Sequence, residues 1–289
     1  NPPASMGGGT FTLQYHTDLL YCYRYIWYGE WKNRLDRYHT IIIFDVFEDI
    51  DIIKYIQRYF PKIRIIVYYY NPIYNKALLN KVISTGVEIW SFDFSDCKEY
   101  SLLYNPQFYF QNIVFPEAFY KDRQSNNNKL DLIFVGKDKG RMPLLMKLKE
   151  SLKIGKIRFF MGVRADRNIT YSKACKQFLI EPIPYSFYLS LLRNSSCVLD
   201  IVQENQLGLT LRIMEALFYN KKVITNNTAI QNMKIYDKRN VYILGIDDRD
   251  LVKFIKSPVH DWNEQIKRQY VFCKWLDRFF DSNSDTEGL

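Results

Sequence analysis

CVLDIVQENQLGLTLRIMEALFYNKKVITN, residues 197–226, joins an apolar strand, a polar turn with one glycine, a helix-period stretch and a second apolar strand. The runs VLDIV and KVIT are short and rich in β-branched residues, as strands of a parallel sheet covered on both faces must be, while Leu211, Met214, Leu217 and Phe218 recur at helical spacing between them. One βαβ unit follows. Glu215 falls off that apolar stripe, and Gly208, Leu209 and Thr210 lead into the helix near the carboxyl end of a parallel strand, where open α/β sheets place their ligands. The competing reading is a solvated Glu on an ordinary helix, the common fate of a helix charge.

The segment LGLTLRIMEAL, followed by NKKVIT, resembles the E-G-F-G-L-x-x-x-E-A signature and following G-x-P-V strand in the carboxyl-terminal domain of GT-B glycosyltransferases. Gly208 stands at the first Gly of that pattern, Leu211 at its Leu, Glu215 at its second Glu and Ala216 at its Ala. Leu207 replaces the first Glu, and Thr210 the second Gly. The resemblance therefore implies Glu215 on the ribose of a nucleotide. It leaves the sugar contact open, with Gln206 and Glu204 as neighbours able to substitute. Arg212, one turn before Glu215, is the expected phosphate partner, against the alternative of a solvated charge.

Upstream, LDLIFVGKDKGRMPLLMKLKESL reads as an apolar strand, a Gly turn dense in cations and a helix with leucines at helical spacing. A helix amino terminus offers unpaired N–H groups and a positive dipole, and Lys137, Lys139 and Arg141 add charge where a diphosphate would lie. The turn resembles the GT-B pattern V-G-R-x-x-x-x-K-G. Val135 and Gly136 match directly, Lys137 takes the Arg position, and Lys139 with Gly140 forms the Lys-Gly pair after a shortened loop.

Charge is distributed to suit such a site. Residues 1–128 hold 13 basic and 13 acidic side chains, whereas residues 129–289 hold 27 and 18, so the whole excess lies in the second half. A uniformly basic chain would suggest nucleic acid; a basic half, densest over residues 129–182, suits an anionic donor or an anionic surface. RNA binding is kept only as a third reading, from the basic and aromatic content. Five cysteines, Cys22, Cys97, Cys175, Cys197 and Cys273, include no C-x-x-C pair, which argues against a zinc site or a disulfide scaffold and for reduced thiols in the cytoplasm. No run approaches the roughly 20 apolar residues of a membrane span. The opening NPPASMGGGT lacks the regions of a signal peptide, and Gly7, Gly8 and Gly9 are either a plain loop or a close backbone approach to phosphate.

The first half alternates strands at TIIIFDVF, IRIIVYYY and VEIWSFD with helical stretches EDIDIIKYIQRYF and NKALLNKVIST, which argues a parallel sheet with crossover helices. Before residue 20 no convincing first strand stands out. KDRQSNNNK, residues 121–129, carries consecutive Asn and no apolar anchor and suits an interdomain linker. Strands at DLIFVG, IRFFMGV, CVLDIV, KVIT and VYIL fill the second half, before an amphipathic helix over NEQIKRQYVFCKWLDRFF. The expected fold is α/β, two Rossmann-like domains with mostly parallel sheets in the GT-B manner: an acceptor-side domain over residues 1–123 and a donor-binding domain over 129–289.

For the acceptor side, Tyr70 and Trp90 are candidate sugar-stacking residues, with core packing as the alternative. Asp45 and Asp93 are the candidate catalytic carboxylates. Each has a structural alternative, Asp45 satisfying loop N–H groups and Asp93 capping the next turn. Asp49 and Asp51 spell a D-x-D motif, but at the start of a helical pattern, where acids complement the dipole more readily than they bind Mn²⁺.

The resemblance implies a glycosyltransferase that moves a sugar from a nucleotide-diphosphate donor to a bacterial surface glycan, lipopolysaccharide O-antigen or capsule, on a lipid-linked acceptor. No metal cofactor is expected, because protein cations would stabilise the departing diphosphate. The expected location is cytoplasmic, with peripheral contact at the inner membrane face through the basic excess and the cations near Trp275 and Phe279, unless that helix packs its aromatic face inward. A noncatalytic nucleotide- or glycan-binding protein on the same fold is the alternative.

Overall fold

The computed structural model describes residues 30–46, 49–110, 129–204 and 206–281. Gly7, Gly8 and Gly9, Cys22 and residues 121–128 of the expected linker lie outside them. The chain divides into two compact units, one of residues 1–67 and 75–88, the other of residues 68–74 and 89–289. Strands β1 (Thr40–Phe44), β2 (Arg64–Tyr69), β3 (Glu88–Ser91) and β4 (Leu103–Tyr104) follow one another in sequence order in a four-stranded sheet. A second, five-stranded sheet holds β5 (Leu130–Lys137), β6 (Phe159–Arg164), β7 (Ser195–Asp200), β8 (Lys222–Thr225) and β9 (Val241–Ile243) in the order β6-β5-β7-β8-β9, parallel throughout. The architecture is α/β, with parallel sheets and crossover helices in the Rossmann-like manner.

In the first unit, α1 (Asp51–Tyr59) and α2 (Lys76–Ile83) follow β1 and β2. The Asp49 carboxylate accepts the Asp51 N–H at 3.0 Å, so this acid serves the first turn of α1. Asn75 caps α2 by accepting the Leu78 N–H. Arg64 donates to both oxygens of Glu88 at 2.5 and 2.7 Å, tying the starts of β2 and β3.

In the second unit, α3 (Phe94–Tyr100) connects β3 to β4 and ends on Ser101 in the left-handed region. The helices α4 (Met142–Ile154), α5 (Lys173–Lys176), α6 (Tyr185–Arg193), α7 (Leu211–Phe218) and α8 (Leu251–Lys256) belong to the five-stranded sheet. Side chains alternate across it, as the strand period of two demands. Leu132, Phe134, Cys197 and Leu199 join Leu145 and Leu152 of α4 and Phe254 of α8 in one core. Ile133 and Val198 join Leu189 and Leu192 of α6 and Ile213, Met214 and Leu217 of α7 in the other. Helices therefore cover both faces, which explains the unbroken apolar character of β7 and β8.

The chain moves outward from β5 to β6, then returns past β5 to β7, so the connections after β5 and β7 leave toward opposite faces. The crevice between their carboxyl ends is the topological switch point of this sheet.

The carboxyl-terminal helix predicted over residues 263–280 is interrupted. It forms α9 (Glu264–Gln269) and α10 (Phe272–Asp277), because Val271 pairs as an isolated parallel bridge with Tyr109, whose N–H and C=O bond to Tyr270 and Phe272. Trp275 is fully buried, edge-on to Tyr68 and Phe279 and tilted against Phe108, and Asn105 donates to its carbonyl at 3.0 Å. Of the two readings of this segment, the aromatic face packs inward: the Trp275 and Phe279 rings are core. Among the described residues no helix is long and apolar enough to cross a membrane.

Candidate functional site

At the switch point, the turn after β5 is tight. Lys139 and Gly140 both adopt positive φ, 45° and 79°, which Gly tolerates freely and Lys does not. Asp138 is 3% exposed; one of its oxygens accepts the Met142 N–H at 2.8 Å and the other the Tyr171 hydroxyl at 2.7 Å. Here the sequence expectation needs correction, since a carboxylate of the chain already serves one of the amino-terminal N–H groups of α4. Arg141 turns inward, donating to the carbonyls of Ile201 at 2.5 Å and Lys137 at 2.9 Å, and so ties the ends of β5 and β7 together. Lys137 pairs with Asp166 at 3.3 Å, and Asp166 also accepts the Lys139 N–H. The Lys139 ammonium makes no hydrogen bond or ion pair among the described residues.

Across the crevice, Asp200 ends β7 with no exposed surface. It accepts hydroxyl hydrogen bonds from Thr210 at 2.8 Å and Thr225 at 3.3 Å, and pairs with Arg212 at 3.2 Å. Arg212 also donates to Val135 C=O at 3.1 Å and lies over the Phe134 ring. A Cβ on Gly136 would stand 2.4 Å from its guanidinium, so the glycine makes room for the arginine. Four cations thus converge at one strand edge. Burial depresses the Lys139 ammonium, and Arg141, Lys137 and Arg212 push the same way; burial and then Arg212 bring Arg141 down to about 10. Such mutual repulsion favours an anion as occupant.

Beside this cluster opens a cleft of about 330 Å³ lined by Val135, Ile183, Tyr185, Tyr188, Leu211, Arg212 and Glu215. Glu215 is 2% exposed, and its two oxygens accept the hydroxyls of Tyr185 at 2.8 Å and Tyr188 at 2.5 Å. Burial raises this carboxyl to about 7 against the pull of the two hydroxyls and Arg212. The helix stripe therefore differs from its sequence reading. Glu215 is buried with Ile213, Met214 and Leu217, and Leu211 is 44% exposed at the cleft. Sequence reasoning missed α6 and its two tyrosines; Pro184 at its start and the apolar spacing of Tyr188, Leu189 and Leu192 were the available signals.

The loop before α7 is held from the other sheet. Asp93, 1% exposed, gives one oxygen to the Ser95 N–H and hydroxyl as the cap of α3, and the other to the N–H groups of Leu207 and Gly208, each at 3.0 Å. A Cβ on Gly208 would meet the Phe92 ring at 2.7 Å and the Phe92 carbonyl at 2.8 Å, so glycine permits this approach. Asp93 is corrected from catalytic carboxylate to anchor, because both its oxygens are committed. Trp90, 6% exposed and edge-on to Phe279, is core and offers no face to a sugar. Leu209, 2% exposed, is core too, and Gln206 is 8% exposed beside Gln203. Tyr70, just beyond β2, is 41% exposed. Asp45, just beyond β1 in the first unit, is 6% exposed with φ of 50°, a left-handed conformation that Asp tolerates better than most residues. Among the described residues no group of three or more His, Cys, Asp or Glu side chains could hold a metal ion. No protein-family model matches this chain, and no curated protein matches it significantly.

Proposed function

We propose that this chain is a GT-B glycosyltransferase that takes a nucleotide-diphosphate sugar at the carboxyl edge of the five-stranded sheet and transfers the sugar to a bacterial surface glycan. One observation carries the reading: Lys137, Lys139, Arg141 and Arg212 gather at the topological switch point beside a cleft with the buried Glu215 at its wall. The cations suit a diphosphate, and the cleft suits the nucleoside, whose ribose hydroxyls would share Glu215 with the tyrosines. A carboxylate has about four acceptor positions, and two are in use. In the transfer step the developing charge on the departing diphosphate falls on Lys139 and Arg212, without a metal in this scheme. Residues 1–123 would serve the acceptor and residues 129–289 the donor, in the cytoplasm, with membrane contact left to the basic surface rather than to Trp275.

The second reading is a noncatalytic nucleotide- or glycan-binding module. Leu207 at the position of the pattern's first acid, and Asp93 committed to the backbone of Leu207 and Gly208, favour it. A thermal-shift panel of UDP-, GDP- and dTDP-sugars tests the shared premise, since a ligand that binds only the folded state raises the apparent midpoint. Release of nucleoside diphosphate from the donor that binds then separates enzyme from module.

A further inference from the structure

Asp96 stands in the first turn of α3, three residues after Asp93, at the carboxyl edge of the four-stranded sheet. It is 8% exposed. Its Oδ2 accepts the Ile73 N–H at 3.1 Å and faces the Ser91 hydroxyl at 3.5 Å, while its Oδ1 makes no hydrogen bond among the described residues. The Ile73 bond fixes the segment after β2, from which Tyr74 reaches across to bond the Gln203 amide. Gln203 lies in the same loop as Leu207 and Gly208, whose N–H groups Asp93 holds, so Asp96 stands beside the segment that leads into α7. Two acids of one helix turn thus divide the work: Asp93 holds the backbone of Leu207 and Gly208, and Asp96 keeps an oxygen uncommitted.

The geometry points to Asp96 as the catalytic base of the proposed transfer, the group that takes the proton from the attacking hydroxyl. This rests on the donor reading above. In the step, the acceptor oxygen forms a bond to the anomeric carbon as the bond from that carbon to the diphosphate oxygen breaks; the electron pair leaves with the diphosphate, and the hydroxyl proton passes to Asp96 Oδ1. Asp93 at the cap of this helix, Cys97 and Glu99 on it and Tyr74 opposite are charged and titratable groups around it. Burial first, and then Asp93 and Glu99, raise its carboxyl to about 6, so it is an anion near neutrality and yet a better proton acceptor than an exposed Asp.

The test uses the full chain and whichever UDP-, GDP- or dTDP-hexose binds most tightly, with water as acceptor and released nucleoside diphosphate as the readout. Asp96→Asn keeps an oxygen for the Ile73 N–H, so it should fold and bind the donor as the wild type does. Its hydrolysis should fall about 100-fold or more, and the wild-type inflection near pH 6 should vanish from the rate profile. If Asp96→Asn binds the donor and hydrolyses it at a rate within threefold of wild type, Asp96 is not the base and the donor reading stands. If the wild-type protein itself binds donors and never releases diphosphate, the enzyme reading falls and Asp96 falls with it. Should Asp96→Asn lose donor binding while its melting curve stays wild-type, Asp96 belongs to the binding surface and the base assignment is overturned.

Discussion

Replacing Glu215 by Gln removes a buried charge whose cost depends on pH. The folded carboxyl titrates at about 7 against an ordinary 4.5, because burial outweighs the Tyr188 and Tyr185 hydroxyls and Arg212. Between those pH values the folded state holds a proton that the unfolded chain has released, so wild-type stability falls as pH rises through this window. A shift of this size corresponds to about 3 kcal/mol, at roughly 1.4 kcal/mol per pH unit, a large share of the 5–15 kcal/mol typical of a folded domain. Glu215→Gln keeps the shape and one acceptor, and a rotated tyrosine hydroxyl can accept from the new amide. The variant should match wild type near pH 4.5 and exceed it by about 2–3 kcal/mol at pH 8. Urea unfolding across pH 4.5–8.5 measures the difference. Parallel stability curves for the two proteins would refute a carboxylate whose burial outweighs its hydrogen bonds.

Gly136→Ala should displace Arg212 from Asp200 and cost about 2–3 kcal/mol, since the acid stays buried with only two hydroxyl donors; thermal unfolding within 0.5 kcal/mol of wild type would contradict the contact. Asp93→Ala leaves the N–H groups of Leu207 and Gly208 without their acceptor and should destabilise by about 2–4 kcal/mol, with Asp93→Asn milder. Trp275→Ala should cost about 3–5 kcal/mol, while flotation of an exposed-lysine variant such as Lys153→Glu with anionic liposomes, compared with wild type, reports separately on membrane contact. Equal flotation of wild type with anionic and neutral vesicles at low salt would confine the basic excess to the donor site.

Much of the second sheet was legible because its strands are short, apolar runs between turn residues, and local pattern suffices there. CVLDIV and KVIT became β7 and β8, and the helix between them began at Thr210, whose hydroxyl caps it. Long-range pairings were not legible. Nothing local to Asp93 shows that its second oxygen reaches Leu207 and Gly208, more than a hundred residues on. Aromatic residues were ambiguous for the same reason: Trp90 reads equally as sugar platform or core, and Trp275 as part of a membrane-facing helix or core, until Phe279 is seen between them. The amphipathic period over residues 263–280 was real, yet pairing of Val271 with Tyr109 broke the helix in two. Glu215 was found by its place in a motif, whereas its burial depends on Tyr185 and Tyr188 from a helix that the apolar pattern marked only weakly.

Calorimetric titration of UDP, GDP and dTDP into the wild-type protein and Lys139→Ala tests the account most directly, because Lys139 is exposed and its ammonium makes no hydrogen bond or ion pair among the described residues. At least one nucleoside diphosphate should bind the wild type at a single site, and Lys139→Ala, unchanged in stability, should bind it about tenfold more weakly. Failure of all three to bind, or equal affinity in the two proteins, would contradict a diphosphate site at the carboxyl ends of β5 and β7.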